Sequence, residues 1–247
     1  EVRRSGGWPV VRVSKSGGPA LRWRRYAKAL REVASDADVV YAFSSVSCGM
    51  PLVLARLQQP KTLLRLGGDF FWERYTDRKG DKPLHEWYEA RPASRRFMDS
   101  LLSRFDHIVF STPYQQELYK KHFQRLPDHS VIENAAEVRG DRQPHLRHDP
   151  FRSLWMGRLV HFKNLPSLIR AVRLLPGTVL TIVGEGPIKK QLQKIIETFN
   201  LEGRILITTP VHGEEKRAML AEHDLLVLPS LTEISPNIAL EARAEGL

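Results

Sequence analysis

A chain of 247 residues, 42% hydrophobic and 27% charged, has the make-up of an ordinary soluble globular protein with a sizeable core. Its one cysteine, Cys48, rules out an internal disulfide framework or a cysteine-based zinc cage and is expected as a small buried hydrophobe. The formal net charge is +10, and most of the excess lies before Phe151, so the N-terminal part is expected to attract phosphates of nucleic acid, anionic lipid or a phosphorylated acceptor.

No apolar run approaches the roughly 18 residues of a membrane span and no signal peptide opens the chain, so a cytoplasmic location is expected. The chain starts without Met and stops at EARAEGL, where a helix should end, and both ends are expected to be cut. In chain order, LRWRRYAKALREV (21–33) reads as a basic helix that either lies on a membrane surface or packs on its domain's sheet. VVYAF (39–43), KTLLRLGG (61–68) and HIVFST (107–112) read as strands. Thr112 as N-cap and Pro113 at the first position open a helix over 113–123, followed by a strand SVIEN (130–134). AAEVRGDRQPHLRHDP (135–150) is polar and without apolar period, the signature of an interdomain linker.

In the second half LWMG (154–157), TVLTIVG (178–184), RILIT (204–208) and DLLVLPS (224–230) read as strands, with helices over 164–175 and 187–199 between them. Strands alternating with helices imply parallel sheets covered on both faces. The pattern predicts an α/β protein of two domains joined near residue 140.

Ligands of open parallel sheets bind at the carboxyl ends of the strands, where helix N-termini favour anions. Three junctions fit. In MGRLVHFKN, Gly157 is followed by Arg158 and Lys163, a pair of cations suited to a diphosphate, though two surface cations on a connecting loop read the same way. In IVGEGP, Gly184 and Gly186 would let a ligand approach the backbone, with Glu185 between them; a tight turn explains them equally well, and the third glycine of a dinucleotide fingerprint is absent. In EISPNIALE, Ser235 is expected to cap a helix starting at Pro236, leaving the N–H groups of Asn237 and Ile238 free for an anion. Glu233 and Glu241 flank that turn, an arrangement suited to a polyol beside a diphosphate. The plainer reading makes Ser230-Leu-Thr-Glu233 a capping box and Glu241 a solvated helix residue. Metal binding by the two glutamates lacks neighbouring ligands at the right spacing.

GRLVHFKNLPSLIRAV, LTIVGEGP and DLLVLPSLTEISPNIALEARAEGL together resemble the C-terminal domain of family 4 glycosyltransferases, retaining enzymes of the GT-B fold with two Rossmann-like domains. The last segment matches their E-x7-E motif through Glu233 and Glu241. DADVVYAFSS, KTLLRLGGDFFWE, HIVFSTPYQQELY and SVIENAAE resemble the acceptor-side domain more loosely, with Glu133 and Ala135 where Pro and Gly are usual.

The resemblance implies an acceptor-side domain over 1–138 lacking its first strand, a linker over 139–150, and a nucleotide-sugar-binding domain over 151–247 lacking its C-terminal end. It implies that Arg158 and Lys163 bind the donor diphosphate, Glu233 the transferred sugar and Glu241 the ribose. Backbone groups from Ser235 to Ile238 would contact sugar and phosphate, and the loop at Pro210 and Val211 would face the base. Many members carry a catalytic His in the strand corresponding to LLRLGGD; here Gly67 and Gly68 stand there, and Asp69 is the nearest candidate. No metal and no cofactor is implied, the nucleoside-diphosphate sugar being a co-substrate, with a saccharide or lipid-linked acceptor in cell-surface polysaccharide or glycolipid synthesis. Peripheral contact of the basic N-terminal domain with the inner face of an anionic membrane is expected. The remaining alternatives are a GT-B-like phosphorylase or epimerase, a noncatalytic sugar-nucleotide binder, and a basic nucleic-acid-binding protein, for which no recognised module speaks.

Overall fold

The computed structural model describes residues 2–5, 8–90, 92–137 and 147–247. By contacts the chain divides into two compact units, Glu1–Trp72 with His85–Glu133, and Glu73–Leu84 with Asn134–Leu247. The linker expected over 139–150 falls largely outside the described residues. Among the described residues no helix is long and apolar enough to cross a membrane.

The first unit opens with β1 (Val2–Ser5) paired antiparallel to β2 (Trp8–Val11). Helix α1 (Pro19–Val33) follows, then the strands of a parallel sheet in the order β3 (Val39–Phe43), β4 (Lys61–Arg65), β5 (His107–Phe110), β6 (Asp128–Val131). Its other helices are α2 (Met50–Ala55), α3 (Phe70–Asp77), α4 (Leu84–Ala90), α5 (Pro92–Leu102) and α6 (Pro113–His122), with α3 crossing into the second unit. Helix α6 starts as its sequence dictates: Thr112 accepts from the Gln115 N–H at 3.1 Å and Pro113 takes the first turn. The basic helix α1 packs against α2, whose last carbonyls, of Leu54 and Ala55, accept from the Arg31 guanidinium at 2.9 and 3.0 Å. Its neighbour is therefore a helix end rather than the expected sheet. Cys48 is a correction: it is exposed, on the outer side of a tight turn over Ser45–Gly49 whose buried members are Ser45, Val46 and Gly49, although local burial still pushes its thiol up.

The second unit holds β7 (Phe151–Met156), β8 (Thr178–Val183), β9 (Ile205–Thr208) and β10 (Leu225–Leu226), all parallel, in the order β10-β7-β8-β9. The helices are α7 (Leu165–Arg173), α8 (Lys189–Thr198), α9 (Gly213–Ala221) and α10 (Asn237–Glu245). Alternate residues of the strands feed two cores. Trp155, Leu180 and Ile182 meet Leu165, Ile169, Leu192 and Ile196 of α7 and α8, while Leu154, Met156 and Val183 meet Leu220 and Ala242 of α9 and α10. With both faces covered, the strands read as unbroken apolar runs.

Several boundaries differ from the sequence reading. The expected strand 224–230 keeps only Leu225–Leu226 in the sheet, although Val227 still donates to the Leu154 carbonyl at 2.9 Å. The expected strand 61–68 ends at Arg65, after which the carbonyls of Leu66 and Gly67 accept from the side chains of Ser111 and Gln115. Helices α2, α3, α4, α5 and α9 were not expected; α9 begins GEEKR and offers little apolar period.

At the carboxyl ends of β7 and β8 the backbone itself needs glycine. Gly157 (φ 154°) and Gly184 (φ 156°) lie in contact, and a Cβ on Gly184 would sit 1.9 Å from the Gly157 carbonyl oxygen. The expected close approach at Gly184 and Gly186 is thus made by the protein's own chain: a Cβ on Gly186 would fall 2.3 Å from the Leu159 carbonyl oxygen. Gly184→Ala is expected to destabilise this unit by about 1–3 kcal/mol, whereas Gly177→Ala, with open space around its Cβ, should leave stability nearly unchanged. Equal urea midpoints for the two variants would show that the backbone contact is dispensable.

Candidate functional site

In the second unit the chain runs outward from β7 through β8 to β9 and then returns to the other side of β7 as β10. Neighbouring strands whose connections leave in opposite directions open a crevice between their carboxyl ends, the usual ligand position in such sheets. The loops that follow β7 and β10, residues 157–164 and 227–236, flank that crevice.

The first of these loops is pinned from below. Leu159 and Phe162 are buried, the Leu159 N–H donates to the Glu185 carbonyl at 2.9 Å, and a short 3-10 turn over His161–Lys163 ends at Asn164 with φ 53°. Arg158 stands just before Leu159 and Lys163 just after Phe162, so the two cations bracket the buried stretch. The two loops are joined directly, because the Leu231 N–H donates to the Phe162 carbonyl at 2.9 Å.

Lys163 reaches across this junction to Glu233. Its ammonium lies 2.6 Å from Glu233 Oε1, with side-chain exposures of 18% and 22%, so the pair is largely screened from water. The Ser230 hydroxyl donates to the same oxygen at 2.5 Å. Ser230 thus bonds the carboxylate of Glu233, and no helix starts between them, which removes the capping-box reading. Arg158 is far more open, at 68%, and meets the Glu73 carboxylate, a residue of the same unit, at 3.3 Å. Glu185 pairs with Lys189 one helical turn on, at 2.7 Å.

Helix α10 starts one residue later than expected. Pro236 is the N-cap, Ser235 makes no capping hydrogen bond, and the first helical bond runs from the Ala239 N–H to the Pro236 carbonyl at 3.0 Å. Proline at this position supplies the extended φ and ψ of a cap without a side-chain acceptor, so the N–H groups of Asn237 and Ile238 stand ahead of the first intrahelical bond. The Ile238 side chain turns into the core. Asn237 and Glu241 share a helix face and line a cavity of about 600 Å³ together with Asn134, His212, Lys216 and Arg217. Glu241 is not a solvated surface residue: it forms an ion pair with Lys216 of α9, and Arg217 pairs with Glu245 one turn further at 2.9 Å.

Two expectations need correcting. Val211 does not line the cavity; it is buried against Leu154, Met156 and Leu220, while its neighbours Pro210 and His212 are exposed. The position next to the cavity falls to His212, which immediately precedes α9. Asp69, the acceptor-side catalytic candidate, belongs to the first unit and is 2% exposed. It accepts from the Trp72 N–H at 2.8 Å, closing the start of α3, and from the hydroxyls of Tyr88 at 2.5 Å and Tyr119 at 3.3 Å. Both oxygens serve the interior, and the catalytic reading of Asp69 is not kept. The sequence reading also missed Ser230, Lys216, Arg217 and His212; the signal for Lys216 was its place in the first turns of a helix that follows a strand's carboxyl end.

The family model described as "Glycosyl transferases group 1" matches residues 139–247. Over 91 residues the chain is 34% identical to the lipopolysaccharide core biosynthesis glycosyltransferase LpsE of Rhizobium meliloti (strain 1021), covering 37% of this chain and 26% of LpsE. Over 224 residues it is 27% identical to the UDP-Gal:alpha-D-GlcNAc-diphosphoundecaprenol alpha-1,3-galactosyltransferase of Escherichia coli, covering 85% of this chain and 56% of that enzyme. The chain therefore spans about a quarter to just over half the length of these relatives. Among solved structures, the sucrose-phosphate synthase of Thermosynechococcus elongatus superposes on 99% of this chain and 66% of its own with a TM-score of 0.78 at 16% identity, a likeness of fold. Two Rossmann-like units with parallel four-stranded sheets make the fold GT-B, as the sequence led one to expect.

Burial pushes the Asp69 carboxyl above its ordinary range, against the hydrogen bonds from Tyr88, the Trp72 N–H and Tyr119, which favour the anion. A folded-state pKa above the unfolded one means that the folded chain keeps a proton the unfolded chain gives up, so this contribution to stability shrinks as pH rises through that window. The stability of the wild type relative to Asp69→Asn is accordingly expected to fall as pH rises through and above the ordinary carboxylate range, read as urea midpoints. Parallel pH dependences of the two proteins would contradict it.

Proposed function

We propose, from the match of residues 139–247 to the group 1 glycosyltransferase model, that the protein is a retaining glycosyltransferase of the family 4 type that moves a hexose from a nucleoside-diphosphate sugar to a saccharide or lipid-linked acceptor. The observation that carries this reading is the meeting of Lys163 and Glu233 at the point where the strand order reverses, a cation and a carboxylate side by side where a diphosphate sugar would lie.

In this reading the bond between the anomeric carbon and the diphosphate oxygen breaks, the departing diphosphate takes the electron pair, an acceptor hydroxyl oxygen bonds the carbon, and the hydroxyl proton passes to the departing diphosphate. Charge develops mainly on the leaving diphosphate. Exposed Arg158 and Lys163 at the crevice would meet it together with the N–H groups of Asn237 and Ile238 at the start of α10. Gly157 gives the loop its turn, and Gly184 with Glu185 holds it from the β8 side. Glu233 accepts hydrogen bonds from the sugar. Glu241, in the cavity beside His212, accepts from the ribose hydroxyls, and the loop at Pro210 frames the base.

The relative that acts on a diphosphoundecaprenol-linked sugar and the one in lipopolysaccharide core synthesis support an acceptor of the cell-surface polysaccharide class. A cytoplasmic protein with peripheral contact to an anionic membrane fits the basic N-terminal part, on which Arg24 and Lys28 of α1 are exposed.

Removing one charge-assisted contact costs about 1.5–3 kcal/mol, or roughly 10- to 100-fold in affinity. Lys163→Ala and Glu241→Ala are each expected to weaken binding of a uridine or guanosine diphosphate sugar by that factor in calorimetric titration. Unchanged affinity in both would overturn the site assignment.

A further inference from the structure

Glu233 sits in a loop, so no helix or strand fixes its side chain. What fixes it is convergence on one atom: Lys163 Nζ at 2.6 Å and Ser230 Oγ at 2.5 Å both donate to Oε1. Among the described residues Oε2 takes no hydrogen bond, although an ionised carboxylate offers about four acceptor positions. The side chain is one-fifth exposed, so the unused oxygen is the part of Glu233 left for a ligand.

The two anchors differ in what a ligand does to them. The Lys163 ammonium is attracted by any diphosphate placed in the crevice, and its long stem lets it turn away from Glu233. The serine hydroxyl is neutral, has a single hydrogen to donate, and spends it on Oε1. Its backbone is steadied by the adjacent Leu231 N–H, which bonds the Phe162 carbonyl at 2.9 Å. Once Lys163 turns to phosphate, Ser230 alone still orients the carboxylate.

We propose that Ser230 is a positioning residue that holds Glu233 Oε1 and so presents Oε2 to the sugar of the donor while Lys163 is drawn to the diphosphate. This rests on the reading of Glu233 as the sugar-binding carboxylate. It makes Ser230 a determinant of the affinity for the sugar moiety, without a part in binding the nucleotide.

The test uses the full-length protein as wild type, Ser230→Ala, Ser230→Thr and Glu233→Gln, titrated by calorimetry with UDP, GDP, UDP-glucose, UDP-galactose, UDP-N-acetylglucosamine and GDP-mannose. For whichever donor the wild type binds, Ser230→Ala and Glu233→Gln should each lower the affinity about tenfold while the affinity for the matching bare nucleoside diphosphate stays within about twofold. Ser230→Thr, which keeps the hydroxyl, should restore donor affinity. Loss in Glu233→Gln with none in Ser230→Ala overturns the positioning role alone. Equal losses for donor and nucleoside diphosphate in Ser230→Ala, or no rescue by threonine, overturn it as a general loosening of the loop. No effect of Glu233→Gln, or no binding of any of these nucleotides by the wild type, overturns instead the underlying reading of the site.

Discussion

The ion pair between Lys163 and Glu233 joins the two loops on which the rest of the site is hung. Both side chains are partly withdrawn from water. Their attraction offsets part of the cost of withdrawing two charges from water. That the two residues meet at all follows from topology, since 70 positions separate them and only the return of β10 to the far side of β7 makes their loops neighbours.

The same pattern is repeated along the helices that frame the cavity. Lys216 and Arg217 are adjacent on α9, Glu241 and Glu245 lie one turn apart on α10, and the pairs run side by side. Such a ladder holds the two helices in register and sets the direction of the Glu241 carboxylate. Glu241 is thereby oriented by a neighbour from another element, as Glu233 is, and neither depends on its own backbone for its aim.

Much of this was legible in the sequence because local chemistry decides it. The apolar period of Leu165, Leu168, Ile169 and Val172 gives α7, and Thr112 before Pro113 gives the start of α6. The buried runs of β7 and β8 gave their strands, and Gly157, Arg158, Lys163, Glu233 and Glu241 stood out by position alone. The rest depends on partners distant in the chain. Asp69 reads as a polar residue after a strand until Tyr88 and Tyr119, 19 and 50 residues on, are seen to enclose it. The pairing of Glu233 with Ser230 and Lys163 needs the strand order, and α9, polar over its first turns, is held by its neighbours rather than by a stripe of its own. Val211 misled because a residue next to a binding loop was assumed to point the same way as the loop.

The contact between Gly157 and Gly184 bears on how the site tolerates change. With carbonyl oxygen against α-carbon there is no slack between the loops after β7 and β8, so a shift of one is passed undiminished to the other, and through it to Arg158 two bonds of chain away. Glu185, by contrast, is exposed in the loop and pairs with Lys189 at the start of α8. Within three residues, then, the chain carries a position where any side chain at all distorts the cradle and one where many different side chains fit. Substitutions at Glu185 would leave this frame in place, whereas any at Gly184 would move it.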